Sequence, residues 1–214
     1  MNSDVENYAR RRQLIEAAKE EFLEKGYNKA SLRSICAKAN MTTGALYFFF
    51  KNKEDLFDEI VSKPLEELKA ILAEHFEEDK EFMTKITDIS EGDIDHSDIS
   101  DKIVEHIYSN YDSFLLLLSG SENTVFENCV DEFVDLTEKS FIQMMDESLK
   151  RMPEYEIDRY MSHWLAHITV DAFIHEVKHD KNVETARVRL RSVMNYLVHG
   201  WVTLAIVKRQ NGQG

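Results

Sequence analysis

Five residues in the second half of the chain have side chains that can bind metal ions, and they recur at every fourth position. They are His163, His167, Asp171, His175 and His179. Side chains four residues apart lie on one face of an α-helix, and a histidine pair at that spacing can chelate Zn²⁺. The series spans roughly 24 Å at 1.5 Å per residue, so it cannot converge on one ion. At most one adjacent pair can serve in a metal-binding module; the alternative is a polar seam at a subunit interface or along a cavity.

The sequence contains none of the short motifs that mark common catalytic sites. GxSxG, Walker A, GxGxxG and HExxH patterns are all missing. We therefore expect no enzyme and no cofactor. The two cysteines, Cys36 and Cys129, cannot build a disulfide framework, which favours the reducing cytoplasm. Cys36 is either a small packing residue or a thiol switch, and the sequence leaves both open.

Composition and charge narrow the class of protein further. The chain has 214 residues, 43% of them hydrophobic, with only 7 glycines and 2 prolines, which favours helices over many tight turns. The net charge is −14, yet residues 1–53 hold ten basic and six acidic residues. A basic head on an acidic body is the charge asymmetry of a chain that binds nucleic acid at one end. We expect no secretory leader and no membrane span.

The first fifty residues carry the signals of three helices. Apolar residues at 3–4-residue spacing predict a helix over 8–25, which Gly26 ends. Ser31 and Thr42 stand where the N-caps of two short helices belong. Asn40 between them tolerates the left-handed conformation of a tight turn.

Two short helices joined by such a turn behind a longer one predict a helix-turn-helix unit over about 31–50. A generic three-helix packing unit is the alternative. The head then occupies 1–53, and the remaining residues 54–214 form a second, helical domain.

The rest of the chain is also predicted to be helical. Asn52 opens a long helix in which Pro64 should cause a kink or a restart near Ser62. The polar segment 87–98 is predicted to be a loop. Four more helices are predicted over 99–118, 124–150, 154–180 and 183–209.

Two local signals mark the starts of these later helices. Thr124 and Glu127 have the spacing of a capping box, and Pro153 suits the first turn of the next helix. No segment alternates convincingly enough to predict a strand. The fold class is therefore all-α, with a three-helix head and a body of five or six helices.

Specific residues of the head resemble the TetR family of transcriptional regulators. The resemblance covers residues 12–56 and rests on Ala17, Ala18, Phe22, Gly26, Tyr27, Ser31, Ile35, Ala39, Gly44, Ala45, Leu46, Tyr47, Phe50, Lys53 and Leu56. Two positions depart from the family pattern: Asn40 replaces the usual glycine of the turn, and Cys36 replaces the usual alanine. The resemblance implies a regulator, in most cases a repressor, whose helical body binds a small-molecule effector.

We expect seven residues to contact double-stranded DNA. They are Arg33, Thr42, Thr43, Gly44, Tyr47, Phe48 and Lys53. The third helix should enter the major groove with its N-terminal residues nearest the base edges. Its threonines can reach bases or phosphates, its glycine permits close approach, and its exposed phenylalanine offers only apolar contact. The tyrosine and the lysine resemble the family's phosphate-contacting residues.

One head covers one half-site, so a homodimer on a pseudo-palindromic operator is expected. The last helix is apolar over most of its circumference and must be buried on several sides. We place the dimer interface on the helices over 154–180 and 183–209, with Met194, Leu197, Gly200, Trp201 and Leu204 at its centre. A purely intramolecular core is the alternative.

Aromatic and methionine side chains are the candidates for an effector cavity in the body. By residue type we select Phe76, Tyr108, Tyr111, Phe114, Phe126, Phe133, Met144 and Trp164. Ordinary core packing is the alternative for each of them. The effector, the operator and the regulated genes are not identified by the sequence.

Overall fold

The computed structural model describes residues 2–83, 97–119 and 121–209, and it folds most of them into α-helices as predicted. The helices are α1 (Asn2–Lys29), α2 (Leu32–Lys38), α3 (Thr43–Phe49), α4 (Lys53–Met83), α5 (Ser97–Ser109), α6 (Tyr111–Ser119), α7 (Cys129–Leu149), α8 (Arg159–His179) and α9 (Val183–Ala205). Two short strands, β1 (Tyr155–Ile157) and β2 (Ile206–Lys208), complete the described elements. Most of the loop predicted over 87–98 lies outside the described residues.

The chain divides into two compact units. The first comprises Met1–Glu67 and Ser109–Cys129, and the second comprises Leu68–Tyr108 and Val130–Gly214. The first unit therefore contains α1, α2 and α3, the N-terminal half of α4, and α6. A head ending at residue 53 stays a prediction about which residues act on DNA, since the compact unit around it is larger.

The residues of the head that were predicted to cap helices or form the turn do so in the structure. The side chains of Ser31, Thr42 and Asn52 each accept a hydrogen bond from the backbone N–H three residues later, at 3.1, 3.2 and 2.8 Å. These bonds satisfy N–H groups that have no partner within the helix. Asn40 adopts φ 50° in the turn between α2 and α3, the left-handed conformation that asparagine tolerates.

The first helix is longer than predicted, and its end is marked by glycine. It begins at Asn2 rather than at residue 8. Gly26 interrupts the helix with φ 71°. A Cβ at this position would have no atom within 4 Å. Backbone conformation, rather than space, is therefore what favours glycine here.

Helix α4 continues through Pro64 instead of restarting near Ser62. Proline has no N–H to give to the carbonyl of Ile60, four residues earlier. The hydroxyl of Ser113, a buried residue of α6, donates to that carbonyl at 2.9 Å. A contact between helices of the first unit thus supplies the hydrogen bond that proline removes.

The helix predicted over 124–150 begins five residues later, at Cys129, and the capping-box prediction is wrong. The Thr124 hydroxyl accepts from the N–H of Phe126 and donates to the carbonyl of Ser121. The Glu127 carboxylate accepts from the N–H of Asn123, which has φ 61°. These residues build turns before the helix instead of capping it. The segment 99–118 is likewise two helices, α5 and α6, separated at residue 110.

The start of α8 also differs from the prediction. Pro153 lies in a turn, and Asp158 is the N-cap, accepting from the N–H of Met161 at 3.1 Å. Between them runs β1, which pairs antiparallel with β2 so that Tyr155 faces Lys208. Each strand has three residues, too few for an alternating pattern to be visible in the sequence.

The core of the second unit packs α7, α8 and α9 together. Buried members of this cluster are Val134, Phe141, Met145, Leu165, Ala166, Trp201 and Ala205. The indole of Trp201 packs on the ring of Phe141, with ring centroids 3.9 Å apart, and its N–H donates to the Thr169 hydroxyl at 3.3 Å. Among the described helices, none combines the length and apolar character needed to cross a bilayer.

Candidate nucleic-acid interface

Helix α3 presents a polar and aromatic face to solvent. Its buried side is Leu46, with Phe50 just beyond its end. Its other side exposes Tyr47 and Phe48, at 59% and 71% of their surface. The Phe48 ring touches that of Phe49, with ring centroids 4.9 Å apart, but most of its surface and that of Tyr47 stay exposed, so this face is available to a partner.

The glycine of α3 points to the same face. A Cβ added at Gly44 would meet only the Thr42 hydroxyl oxygen, at 3.8 Å, which is ordinary contact. Glycine inside a helix costs about 1 kcal/mol relative to alanine. Packing within the described residues therefore does not require glycine at 44.

Four of the ten basic residues in the head have no ion-pair partner among the described residues. These are Arg12, Lys29, Arg33 and Lys51, and all four are exposed. Five others are paired with carboxylates: Arg10, Arg11, Lys19, Lys25 and Lys38. Unpaired cations can neutralise phosphates without first breaking an internal contact. Arg33 is the one among them that was also predicted from the sequence.

Lys53 has a structural task that sequence reasoning missed. Its ammonium donates to the carbonyls of Tyr27 and Ala30, at 2.7 and 3.3 Å, and lies 4.3 Å from the centre of the Tyr27 ring. Burial lowers the pKa of this ammonium below its ordinary value. Lys53 thus ties the start of α4 to the segment after α1, and one N–H remains for a phosphate.

A buried carboxylate joins α1 to α2 behind the exposed face. Glu21 is completely buried and accepts hydrogen bonds from Lys25 at 2.7 Å and from the Ser34 hydroxyl at 2.9 Å. Lys38 lies 3.5 Å from it and also bonds Glu24 at 2.7 Å. This network, which fixes the helix before the turn, was not predicted. The four-residue spacing of Glu21 and Lys25 is the only sequence signal for it.

Comparison with known proteins identifies this region. Residues 14–60 match the family model described as bacterial regulatory proteins, tetR family. This part of the chain is thus similar to the tetR family of regulatory proteins. The matched residues run from the middle of α1 to the first turns of α4, so they include α2 and α3 in full.

Two curated relatives match a stretch of about 60 residues of this chain. The HTH-type transcriptional regulator YhgD of Bacillus subtilis (strain 168) is 42% identical over 60 residues, which are 28% of this chain and 31% of that protein. The HTH-type transcriptional repressor BepR of Brucella suis biovar 1 (strain 1330) is 39% identical over 61 residues, or 27% and 29% of the two chains. The chain therefore matches about three tenths of the length of these relatives.

The fold likeness to solved structures extends beyond the matched head into the body of the chain. A crystal structure of a transcriptional regulator from Aquifex aeolicus VF5 covers 88% of this chain and 99% of its own, with a TM-score of 0.57 and 22% identity. At that identity the likeness concerns the fold alone.

The predicted effector residues of the body do not belong to one compact unit. Tyr111, Phe114 and Phe126 lie in the first unit. Phe76, Tyr108, Phe133, Met144 and Trp164 lie in the second. A groove of about 410 Å³ in the second unit is lined by none of them; its residues are Asp135, Glu138, Lys139, Ile142, Gln143 and Arg159. An effector cavity therefore stays a prediction.

The residues predicted for the dimer interface divide into two groups. Leu197 and Trp201 are buried in the chain's own core, while Leu204 is exposed and Met194 and Gly200 are half-buried. We define the α8–α9 face by its exposed apolar residues: Tyr160, Trp164, Val188, Val193, Tyr196 and Leu204. The dimer interface therefore stays a prediction, and two of the residues predicted for it, Leu197 and Trp201, point into the chain's own core.

The histidine series lies on the solvent side of α8, opposite Leu165 and Ala166. Among the described residues, no three His, Cys, Asp or Glu side chains are close enough to hold one ion. Both cysteines are buried and neither forms a disulfide, and burial raises the pKa of the Cys36 thiol. That environment suits packing and disfavours the reactive thiolate.

Proposed function

We propose that this protein is a transcriptional repressor in the cytoplasm that binds a pseudo-palindromic operator as a homodimer and is released by a small-molecule effector. The observation that carries the proposal is the exposed face of α3, with Thr43, Gly44, Tyr47 and Phe48, beside unpaired head cations. The strongly acidic body repels DNA, so the head is the only electrostatically favourable surface for it.

Binding chemistry follows from what α3 offers. It carries hydroxyls and aromatic rings but no arginine or asparagine for a bidentate base contact. We therefore expect moderate intrinsic specificity, with a contribution from DNA shape. An effector must bind one geometry of the dimer better than the other to change operator affinity.

The DNA contacts can be tested with an operator obtained by selecting the full chain against random duplexes. Thr43→Ala should weaken specific binding by about 1–3 kcal/mol if the hydroxyl reads a base. Arg33→Ala should weaken binding to all sequences and reduce the salt slope by about 1, because one phosphate contact is lost. Fluorescence anisotropy across salt concentrations measures both effects.

Lys53→Met tests whether Lys53 contacts a DNA phosphate in addition to the carbonyls of Tyr27 and Ala30. If the ammonium only ties α4 to the carbonyls of Tyr27 and Ala30, this variant should lower thermal stability and keep the wild-type salt slope. The exposed body residue Lys139, changed to alanine, is the control and should alter neither quantity. A wild-type chain that selects no duplex from the pool would refute the repressor proposal.

Self-association should depend on the α8–α9 face. Tyr196 is 78% exposed, so Tyr196→Asp leaves the single chain folded but places an unpaired carboxylate in the contact. Burying such a charge costs about 3 kcal/mol or more, which is over 100-fold in the dimer dissociation constant. Sedimentation velocity measures the change. Tyr8→Asp, on a residue 69% exposed in α1, is the matched control and should remain dimeric.

A further inference from the structure

We propose that the first turns of α1 form a second DNA-binding element, in which Arg12 and Tyr8 bind backbone phosphates next to the groove that α3 enters. The inference rests on the proposed function and deepens it, because it extends the contact with the operator beyond α3. Both residues precede residue 14, where the match to the family model begins, so that match assigns them no role.

The first turns of α1 contribute no side chain to the core. Among residues 4–10, every side chain is exposed except that of Asn7, which is half-buried, and the first buried side chain of the described helix is Leu14. Tyr8 is 69% exposed, and Val5, three residues before it, is equally exposed. This end of α1 therefore does not serve the packing of the first unit, and its side chains are available to a partner.

Three consecutive arginines lie in this part of α1, and only Arg12 lacks an acidic partner among the described residues. Arg10 pairs with Glu6 of the same helix at 2.6 Å, and Arg11 pairs with Glu59 of α4 at 2.6 Å. Arg12 is exposed and forms neither an ion pair nor a hydrogen bond with the part of the chain that the structure describes. It can therefore neutralise a phosphate without giving up an internal contact.

Arg11 fixes these turns of α1 against the end of α3. Its guanidinium lies 5.2 Å from the centre of the Phe50 ring, and Phe50 is the C-cap residue of α3. Arg11 and Arg12 follow Tyr8 by three and four residues, and side chains at these spacings are neighbours on the surface of a helix. Tyr8 and Arg12 therefore lie beside Arg11, on the side of α1 that borders the end of α3.

The two side chains are donors that suit phosphate oxygens. A guanidinium forms charge-assisted hydrogen bonds with phosphates, and a tyrosine hydroxyl donates to them without carrying a charge. The Tyr8 hydroxyl has no hydrogen bond among the described residues, so this donor is unused. The major groove is only about 12 Å wide, so a helix beside the one that enters it meets the phosphates at its edge. The charge of Arg12 favours DNA, rather than an apolar protein surface, as the partner.

Binding of the full chain to a selected operator duplex, followed by fluorescence anisotropy across salt concentrations, tests the inference. Arg12→Ala should weaken binding by about tenfold and reduce the salt slope by about 1 for each bound head, because one phosphate contact is lost. Tyr8→Phe should weaken binding by about threefold and keep the slope, because the hydroxyl carries no charge. Arg10→Ala, the matched control, removes the same charge from an arginine that is paired with Glu6 and should keep both affinity and slope.

Single methylphosphonate substitutions along the duplex will locate the phosphate that Arg12 binds. Each substitution replaces one charged phosphate oxygen with a methyl group. We expect one position in each half-site where the substitution weakens binding of the wild type but not of Arg12→Ala. Substitutions at the other contacted phosphates should weaken both proteins alike.

Wild-type affinity in either Arg12→Ala or Tyr8→Phe, or an equal loss of slope in Arg10→Ala, would overturn the inference and leave the repressor proposal intact. A wild-type chain that selects no duplex would contradict the repressor proposal, and this inference with it. Circular dichroism will verify that each variant keeps the helical content and thermal stability of the wild type, as expected for exposed side chains, so that lost binding is not lost folding.

Discussion

Replacing Ser34 with alanine should lower the free energy of unfolding more than deleting the buried carboxylate that Ser34 serves. Ser34→Ala removes a hydroxyl that donates to the fully buried carboxylate of Glu21 at 2.9 Å. A hydrogen bond to a charged group is worth about 1.5–3 kcal/mol, and an unsatisfied buried acceptor retains its desolvation cost. We expect a loss of about 2–3 kcal/mol at pH 7.

Glu21→Leu should cost less than about 1 kcal/mol, because the groups it leaves behind have other partners. Lys38 keeps its hydrogen bond to Glu24 at 2.7 Å. Lys25 is 44% exposed in its side chain and can reach water. The Ser34 hydroxyl accepts from the Lys25 ammonium at 3.4 Å and, being only half-buried, can turn its proton toward water. Removal of the carboxylate therefore leaves no fully buried group unpaired, whereas removal of Ser34 leaves one oxygen of the buried carboxylate with Lys38 alone, 3.5 Å away.

The pKa of Glu21 determines the direction in which the unfolding free energy of these variants changes with pH. Burial raises the pKa of Glu21, but the hydrogen bonds from Lys25 and Ser34 together outweigh it, so the pKa lies below its ordinary value. A lowered folded-state pKa stabilises the protein above the unfolded pKa of about 4.3, and this stability is lost as pH falls through the folded pKa. The deficit of Ser34→Ala should thus be largest at neutral pH and shrink in acid.

Urea denaturation at pH 7 and at pH 4, at one protein concentration, measures these differences. The double variant Glu21→Leu/Ser34→Ala should recover most of the stability lost in Ser34→Ala, which gives a coupling energy of about 2 kcal/mol. Ser192→Ala is the control, since that hydroxyl bonds only the backbone of its own helix and is exposed. A cycle without coupling would show that the network does not hold α1 to α2.

The head could be predicted from the sequence wherever the determining contacts are local. Ser31 and Thr42 cap helices through the N–H three residues away, and Asn40 sets its own φ, so each signal lies within one turn. The internal contacts of Lys53 and Glu21 were not predicted, because they depend on how the helices pack. The partners of Lys53 lie 23–26 residues away in the sequence, and those of Glu21 lie 4–17 residues away. Resemblance suggested a phosphate for Lys53, whereas the structure gives its ammonium two carbonyls.

The sequence predicted that the body is helical, but it did not predict which way the side chains of these helices face. A helix such as α9, apolar over most of its circumference, must be buried on several sides, yet that pattern does not show whether its own chain or a partner buries it. Trp201 and Leu197 face the chain's own core, and Tyr196 is exposed. The strands β1 and β2 were missed because three residues carry too little periodicity.

Replacing Asp79 with asparagine should stabilise the protein at pH 8 and leave its stability at pH 4 nearly unchanged. Asp79 is buried in the second unit, near the C-terminal end of α4. Burial, with a smaller contribution from the charge of Glu78, raises its pKa to about 7. An ionised carboxylate at this site therefore works against folding.

The direction of the pH dependence follows from proton uptake. Between the unfolded pKa of about 3.9 and the folded pKa of about 7, the folded chain binds a proton that the unfolded chain has released. Stability then falls as pH rises through that window, by about 1.4 kcal/mol per pH unit at most. The Nε2 atom of His75 lies 3.1 Å from the Asp79 carboxylate, and a protonated His75 offsets part of this loss of stability. We expect a net effect of about 2 kcal/mol for Asp79→Asn at pH 8.

Unfolding free energies at pH 4, 6 and 8 distinguish this explanation from a simple change in packing. Asparagine has nearly the shape of aspartate but does not ionise, so a packing effect would be the same at every pH, whereas a desolvated carboxylate gives a difference that grows from pH 4 to pH 8. The exposed Asp135, changed to asparagine, should show no such trend. If Asp79→Asn and the wild type lost stability in parallel as pH rises, the charge at Asp79 would be compensated in the fold, and the carboxylate would be a partner of His75 rather than a buried acid.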